Sequence, residues 1–310
     1  MTPSGSPDLT VSVAGIELKN PIIAASGTFG YGIEFEDIVH LNALGGFVVK
    51  GLSVEPMTGN PPPRLYETAA GMLNAIGLQN IGARAFLEEK LPALRKIPNT
   101  VVFVNVFGYT RPDYEHTVQI LNDGEGIAAY ELNVSCPNTA QGGVHFGQDP
   151  HLLDELVRTI KRVAKRPLIV KLSPNVTSIA QMAYVAQEAG ADAISLVNTF
   201  LAMAIDAETR RPRIANVTAG LSGPAIKPIA LRMVYDAAHA VKIPIIGMGG
   251  IISPVDVIEF MLAGASAVQV GTASYFDPVA TETLVEDLRH YCREHRIERI
   301  REVTGGLKTD

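Results

Sequence analysis

The sequence predicts an α/β fold, a (β/α)8 or TIM barrel, and two observations support it. Eight short, almost continuously apolar segments recur along the chain. Segments with the 3.6-residue apolar period of amphipathic helices lie between them. Parallel barrel strands are buried on both faces, which explains why these segments are apolar throughout rather than alternating. A doubly wound open sheet is the structural alternative.

The predicted elements follow one another in barrel order. Residues 11–18 form a small hairpin that covers the bottom of the barrel, and residues 52–82 form an insertion after the second strand. The predicted strands are 21–25, 46–50, 101–105, 130–134, 168–172, 193–197, 244–248 and 267–270. The clearest predicted helices are 149–165, 178–189, 224–241 and 254–263. Several of them open on Ser, Asp or Pro, which are favoured at helix starts.

Composition limits the classes of function. The 310 residues are 47% hydrophobic, carry a net charge of −6 and contain no linker or low-complexity tract, so we expect one domain over residues 1–310. An acidic chain is not expected to bind nucleic acid. No signal peptide and no apolar window of about 18 residues is evident, so we expect a cytoplasmic protein without a membrane segment. Two cysteines, Cys136 and Cys292, are too few for a four-cysteine iron–sulfur site, so any cluster must lie on another chain.

The segment 131–138, Glu-Leu-Asn-Val-Ser-Cys-Pro-Asn, runs an apolar strand into a thiol flanked by amides. Because Pro137 cannot donate a backbone hydrogen bond, the strand must stop at Cys136. The loop 139–147 is rich in glycine and polar residues, and it could open and close over a ligand. A buried structural cysteine is the alternative for Cys136.

Polar residues or glycines end the predicted strands, at the edge where a barrel places its active site. They are Ser26, Lys50, Gly51, Asn105, Asn133, Cys136, Lys171, Asn198, Thr199, Gly249, Gly250, Gly271 and Thr272. No carboxylate or histidine cluster is among them, which argues against a metal site and against a two-carboxylate glycosidase. Amides, two lysines and a thiol instead suit a planar, anionic, hydrogen-bonding ligand.

Two of these features have alternative explanations. The turns at Gly249-Gly250 and Gly271-Thr272 follow strands seven and eight, where barrels commonly bind phosphate on backbone N–H groups, although such glycines can also simply form tight turns. Lys171 lies in an apolar strand, so its charge is costly unless it faces an anion at the barrel mouth. A structural ion pair and a Schiff-base nucleophile are the alternatives for Lys171.

Together these motifs resemble the dihydroorotate dehydrogenase family, specifically the catalytic subunit of its NAD-linked class 1B branch. The resemblance spans nearly the whole chain and is carried by residues 74–80, 133–138, Gly142-Gly143, 220–228 and the two glycine turns. Ile81 departs from it, standing where a proline is expected. The membrane-bound class 2 branch has a serine at the position of Cys136 and an N-terminal membrane segment, neither of which this sequence shows.

The resemblance implies that FMN lies across the barrel mouth with dihydroorotate stacked on it. The implied FMN contacts are Ser26, Lys50, Gly51, Asn105, Asn133, Lys171, Val197 and Gly223, with the phosphate on Gly249, Gly250, Gly271 and Thr272. The implied substrate contacts are Lys50, Asn74, Ala75, Ile76, Gly77, Leu78, Asn133, Asn198 and Thr199. Cys136 is the implied catalytic base.

The chemistry of the implied reaction matches these residue types. Dihydroorotate becomes orotate, a step of de novo pyrimidine (UMP) biosynthesis, by losing a proton from C5 and a hydride from C6, so a base and an electron sink suffice. A free thiol has a pKa near 8.5, so about a tenth of Cys136 is thiolate near pH 7.5 and activity should rise at mildly alkaline pH. Lys171 would stabilise negative charge on reduced flavin.

The exit of electrons requires a partner, because the chain shows neither a dinucleotide fingerprint nor cluster ligands. The resemblance implies a second subunit with FAD and a [2Fe-2S] cluster that reduces NAD⁺, in a heterotetramer built on a homodimer of this chain. The alternatives are a fumarate-dependent class 1A enzyme, a tRNA-dihydrouridine synthase, which would need an electropositive RNA path, a Schiff-base barrel lyase and a non-catalytic ligand-binding subunit. No role is predicted for Cys292.

Overall fold

A closed barrel of eight parallel strands forms the centre of the computed structural model, which describes residues 6–135 and 146–309. The barrel strands are β1 (Ile22–Ala24), β2 (Gly46–Leu52), β3 (Val102–Val106), β4 (Ile127–Asn133), β5 (Leu168–Lys171), β6 (Ala193–Leu196), β7 (Ile245–Met248) and β8 (Ala267–Val270). Each strand pairs with its neighbours in sequence, and β8 closes on β1. The predicted (β/α)8 barrel is confirmed, and the open-sheet alternative is wrong.

The register of the strands brings inward-facing polar residues to similar heights. Asn133 on β4 pairs with Lys171 on β5, and Lys171 pairs in turn with Ser195 on β6. One level below, Glu131 pairs with Asn105 on β3. Because side chains alternate along a strand, Glu131 and Asn133 face the same side of β4. The barrel interior is therefore polar near its carboxyl end.

Helices cover the outside of the barrel. The longer ones are α1 (Arg111–Leu121), α2 (Pro150–Val163), α3 (Ile179–Glu188), α4 (Lys227–Ala240), α5 (Pro254–Leu262) and α6 (Ala280–Glu294). Side-chain caps start several of them: Asp149 caps α2, Ser178 caps α3, and Ser253 forms a capping box with Asp256 at α5. The four predicted helices correspond to α2 to α5. Between β2 and β3 a shorter helical run consists of Ala83–Ala85, a π-helix at Phe86–Lys90, and Leu91–Leu94.

The predicted N-terminal hairpin consists of Val11–Val13 and Ile16–Leu18 in antiparallel pairing. Lys19, directly after it, donates hydrogen bonds to the backbone carbonyls of Asn42 and Asn99. Those two residues precede β2 and β3, so the hairpin lies at the amino ends of the strands. This position at the bottom of the barrel is the predicted one.

Two insertions at the opposite end of the barrel combine into one antiparallel sheet. The predicted insertion after β2 supplies Leu65–Thr68 and Gly71–Asn74, and an insertion after β6 supplies Phe200–Ala202 and Ala219–Ser222. Ala219–Ser222 pairs with Gly71–Asn74, which joins the two insertions. The second insertion was not predicted from the sequence, because strands of three or four residues are too short to show a period.

One large hydrophobic core fills the space between the barrel and its helices, and a smaller cluster joins Leu73 and Ala219 of the insertion sheet with Ile214. Within residues 6–135 and 146–309, no helix combines the length and apolar character needed to cross a membrane. The assignment of residues 1–310 to a single domain stays a prediction.

Candidate active site

A cavity opens at the carboxyl ends of the barrel strands, and Met72 and Ser222 of the insertion sheet contribute to its lining. The unfilled space, including its opening to solvent, is about 1170 Å³. The predicted site residues that line it are Ser26, Lys50, Gly51, Asn74, Ile76, Gly77, Leu78, Asn105, Asn133, Lys171, Val197, Asn198, Thr199, Gly223, Gly249, Gly250, Gly271 and Thr272. Ala75 instead lines an adjacent cavity that shares Asn74 and Asn133 with the first. Cys136 lies outside the described residues.

Two lysines give the cavity its positive character. The Lys171 ammonium is buried, donates to the Ser26 hydroxyl at 3.3 Å and lies 4.0 Å from the Glu131 carboxylate. These contacts leave at least one of its three donors available to a ligand. Burial lowers the pKa of Lys50, and the nearby charges of Arg64 and Lys171 lower that pKa further. Cations that repel one another in a buried site favour an anionic ligand.

A cluster of amides forms another wall of the cavity. Asn198 donates to the Asn133 side-chain oxygen at 3.4 Å, and the Thr199 backbone N–H donates to the Asn198 side-chain oxygen at 2.8 Å. Asn74 reaches in from the insertion sheet, where its amide donates to the Gly220 carbonyl at 3.4 Å. Amides both donate and accept, so they can match a ring with alternating N–H and C=O groups.

The glycines that follow β7 and β8 differ in what the chain itself requires. Gly250 has a φ of +77°, and an added Cβ would lie 2.8 Å from the Gly223 carbonyl oxygen. The fold itself therefore requires glycine at this position, which agrees with the explanation that Gly250 forms a tight turn. At Gly271, an added Cβ would meet its nearest neighbour, the Ala25 Cβ, at an ordinary 3.5 Å. Packing does not explain Gly271, whereas close approach of a phosphate to its backbone would, so this wall fits the FMN phosphate.

A buried carboxylate that was not predicted as a site residue lies beneath the cavity. Glu131 is fully buried and accepts hydrogen bonds from Asn105 at 2.8 Å, Ser195 at 2.9 Å and Gln269 at 2.5 Å. The strand ends themselves lack carboxylates, as expected, but Glu131 lies two residues before the end of β4. The signal in the sequence was a charged residue within an apolar strand, the same signal that singled out Lys171.

The residues on either side of 136–145 lie beside the cavity. Ser135, which precedes Cys136 in sequence, donates its hydroxyl to the Lys171 carbonyl at 3.2 Å. Ser135, Gly147 and Gln148 line the adjacent cavity. The other cysteine, Cys292, is buried in α6, and this burial raises the pKa of its thiol to about 11. Cys292 is therefore an unreactive core residue at neutral pH.

Comparison with known proteins identifies the family. The dihydroorotate dehydrogenase family model matches residues 8–291. A protein named putative dihydroorotate dehydrogenase A (fumarate) from Solibacter usitatus is 61% identical over 98% of this chain and 99% of its own length. Two proteins named dihydroorotate dehydrogenase B (NAD⁺), catalytic subunit, from Citrifermentans bemidjiense and Geotalea uraniireducens, are each 54% identical. They match 97% and 98% of this chain, and 99% and 100% of their own lengths.

The NAD⁺-linked relatives support the predicted class 1B resemblance. The family match and the relatives together cover almost the entire chain, including every barrel strand and the cavity at their carboxyl ends. The chain therefore belongs to the dihydroorotate dehydrogenase family.

Proposed function

We propose that this chain is the catalytic subunit of an NAD⁺-linked dihydroorotate dehydrogenase, which oxidises (S)-dihydroorotate to orotate in pyrimidine biosynthesis. One observation carries the proposal: the buried Lys171, the half-buried Lys50, an amide cluster and a glycine wall converge on one cavity in a chain of this family. This combination suits a flat anionic cofactor and a small anionic ring, which the reaction requires.

FMN is the cofactor that we assign to the cavity, where it supplies the electron sink for the hydride from C6 of the substrate. Backbone groups of Gly249, Gly250, Gly271 and Thr272 would hold its phosphate. The residues assigned to the rest of the cofactor are Ser26, Lys50, Gly51, Asn105, Asn133, Lys171, Val197 and Gly223. Lys171 contributes a buried positive charge where negative charge develops during the reaction.

Lys50 and the amides are assigned to the substrate. The carboxylate of dihydroorotate would pair with the Lys50 ammonium, whose pKa is lowered by burial and which an anion would stabilise in its charged form. Asn74, Asn133, Asn198 and Thr199 would bind the ring, together with the segment 75–78. Asparagines orient the substrate without competing for its proton.

Cys136 is assigned as the base that takes the C5 proton. Among the described residues that line the cavity, none is Asp, Glu or His, the usual general bases. Ser135, which precedes Cys136 in sequence, lines the adjacent cavity, and this supports the assignment of Cys136. A thiol with an ordinary pKa near 8.5 is partly ionised at physiological pH.

A partner subunit with FAD and a [2Fe-2S] cluster is assigned as the path to NAD⁺, in a cytoplasmic heterotetramer built on a homodimer of this chain. Two relatives are named catalytic subunits, which supports a separate electron-transfer subunit. The two cysteines of this chain are also too few for a cluster of its own. Fumarate reduction is the second candidate, because the Solibacter relative carries that name.

Turnover with different acceptors tests this function. The purified chain should oxidise dihydroorotate with an artificial acceptor such as ferricyanide, and neither fumarate nor NAD⁺ alone should replace ferricyanide. Fumarate turnover at the ferricyanide rate would contradict the NAD⁺ assignment and establish the fumarate-dependent class. No oxidation with any acceptor, by a chain loaded with FMN, would contradict the dehydrogenase assignment itself.

A further inference from the structure

Gln269 on β8 carries a buried side-chain oxygen that lacks a partner. The residue is 1% exposed, and its side-chain oxygen meets no hydrogen-bond partner within the described part of the chain. Its Nε2 donates to the Glu131 carboxylate at 2.5 Å. Because a carboxylate only accepts, Nε2 must face Glu131 and the oxygen must face away from it. Leaving a buried hydrogen-bond acceptor unpaired costs free energy. We therefore expect a bound ligand to donate a hydrogen bond to this oxygen.

Glu131 contacts several side chains that line the cavity. It accepts from the Asn105 amide at 2.8 Å, in the same way as from Gln269, and lies 4.0 Å from the Lys171 ammonium. Asn105, Lys171 and Gln269 all line the cavity, whereas Glu131 does not. One buried carboxylate thus turns two amide oxygens away from itself and stabilises the charge on a lysine.

We propose that Gln269 is a further cofactor-binding residue, whose side-chain oxygen accepts a hydrogen bond from a ring N–H, and that Glu131 is the positioning residue that orients it. This inference rests on the proposed FMN function. The oxidised isoalloxazine ring has one ring N–H, on its pyrimidine side, which a buried acceptor can satisfy. Gln269 does not line the adjacent cavity that shares the substrate asparagines, and this favours the cofactor over the substrate as the donor.

Binding of FMN and of 3-methyl-FMN, in which that N–H is replaced by N–CH₃, tests the role of Gln269. Titrated against apoprotein by fluorescence, the wild type should prefer FMN by roughly tenfold or more, since the analogue leaves the acceptor unpaired. Gln269→Ala removes the acceptor and makes room for the methyl group, so this preference should fall towards one. Thr281→Val is the control, because it removes another buried, unpaired oxygen, on α6 and outside the cavity, and should keep the wild-type preference.

The outcomes separate this inference from the proposed function. An undiminished preference for FMN in Gln269→Ala would overturn the role of Gln269, while a wild-type chain that binds no FMN would contradict the proposed function instead. Gln269→Met keeps the side-chain volume but removes the acceptor, so this variant should bind FMN more weakly than the wild type does. Circular dichroism verifies that each variant folds.

The midpoint potential and the affinity of bound FMN test the role of Glu131. Glu131→Gln removes a buried negative charge near the cofactor, so the midpoint potential of bound FMN should rise. The substitution also disturbs two amide orientations, so FMN affinity should fall. An unchanged potential together with unchanged affinity would overturn the positioning role of Glu131.

Discussion

The substitution Gly271→Ala should separate the folding of this protein from its binding of FMN. In the protein alone, the added methyl group would lie 3.5 Å from the Ala25 Cβ and 3.5 Å from the Thr28 Cγ2, which is ordinary contact. The backbone at Gly271 is outside the left-handed region, so alanine causes no strain. Because alanine restricts the unfolded chain, the apoprotein should keep its stability or gain up to about 1 kcal/mol.

The same methyl group should weaken FMN binding. Its neighbours Ala25 and Thr28 both line the cavity, at the turn assigned to the phosphate. Backbone N–H groups bind phosphate oxygens at about 2.9 Å, a distance that an added methyl group obstructs. We therefore expect the FMN affinity to fall at least tenfold, which corresponds to about 1.4 kcal/mol. Urea unfolding of the apoprotein measures the first effect, and fluorescence titration with FMN measures the second.

Gly250→Ala is the matched control. There the methyl group would lie 2.8 Å from the Gly223 carbonyl oxygen at a φ of +77°, so stability should fall by about 1–3 kcal/mol along with affinity. Wild-type FMN affinity in Gly271→Ala would refute the assignment of this turn to the phosphate. An equal loss of apoprotein stability in the two variants would refute the packing argument.

Three further predictions concern the reacting groups. Cys136→Ala should keep FMN and substrate binding while the anaerobic rate of flavin reduction by dihydroorotate falls by about 10²–10⁴, and near-normal reduction in a stopped-flow experiment would remove Cys136 from the role of base. Lys171→Met should lower FMN affinity or the reduction rate, whereas unchanged values of both would favour a purely structural ion pair with Glu131. The lowered pKa of Lys50 means that its positive charge is present below that pKa and is lost as pH rises through it. The affinity for orotate should therefore fall at a pH below the ordinary lysine value near 10.5, and a Lys50→Met variant that shows the same fall would contradict this assignment.

Much of the fold could be predicted from the sequence because parallel barrel strands leave a simple pattern. Burial on both faces makes each strand apolar, and the change to a polar residue or glycine marks its carboxyl end. This rule alone selected Lys50, Asn105, Lys171 and the two glycine turns, all of which line one cavity. The family resemblance added the segment 74–78, which no local pattern distinguishes from an ordinary turn.

The features that were missed depend on contacts between distant segments. The insertion sheet forms only when Ala219–Ser222 pairs with Gly71–Asn74, and neither strand is long enough to show a period. The buried network around Glu131 likewise joins β3, β4, β6 and β8, so its partners are not neighbours in sequence. The charge of Glu131 within an apolar strand could have identified its position, but its three hydrogen-bond donors required the three-dimensional structure.

The anaerobic visible spectrum of the purified, FMN-loaded chain, recorded before and after addition of dihydroorotate, tests the central claim most directly. This measurement needs no electron acceptor, so it does not depend on the partner subunit. We expect the flavin absorption band to bleach within the first turnover. A flavin band that persists at saturating dihydroorotate would contradict the assignment of this cavity as a dihydroorotate-oxidising site.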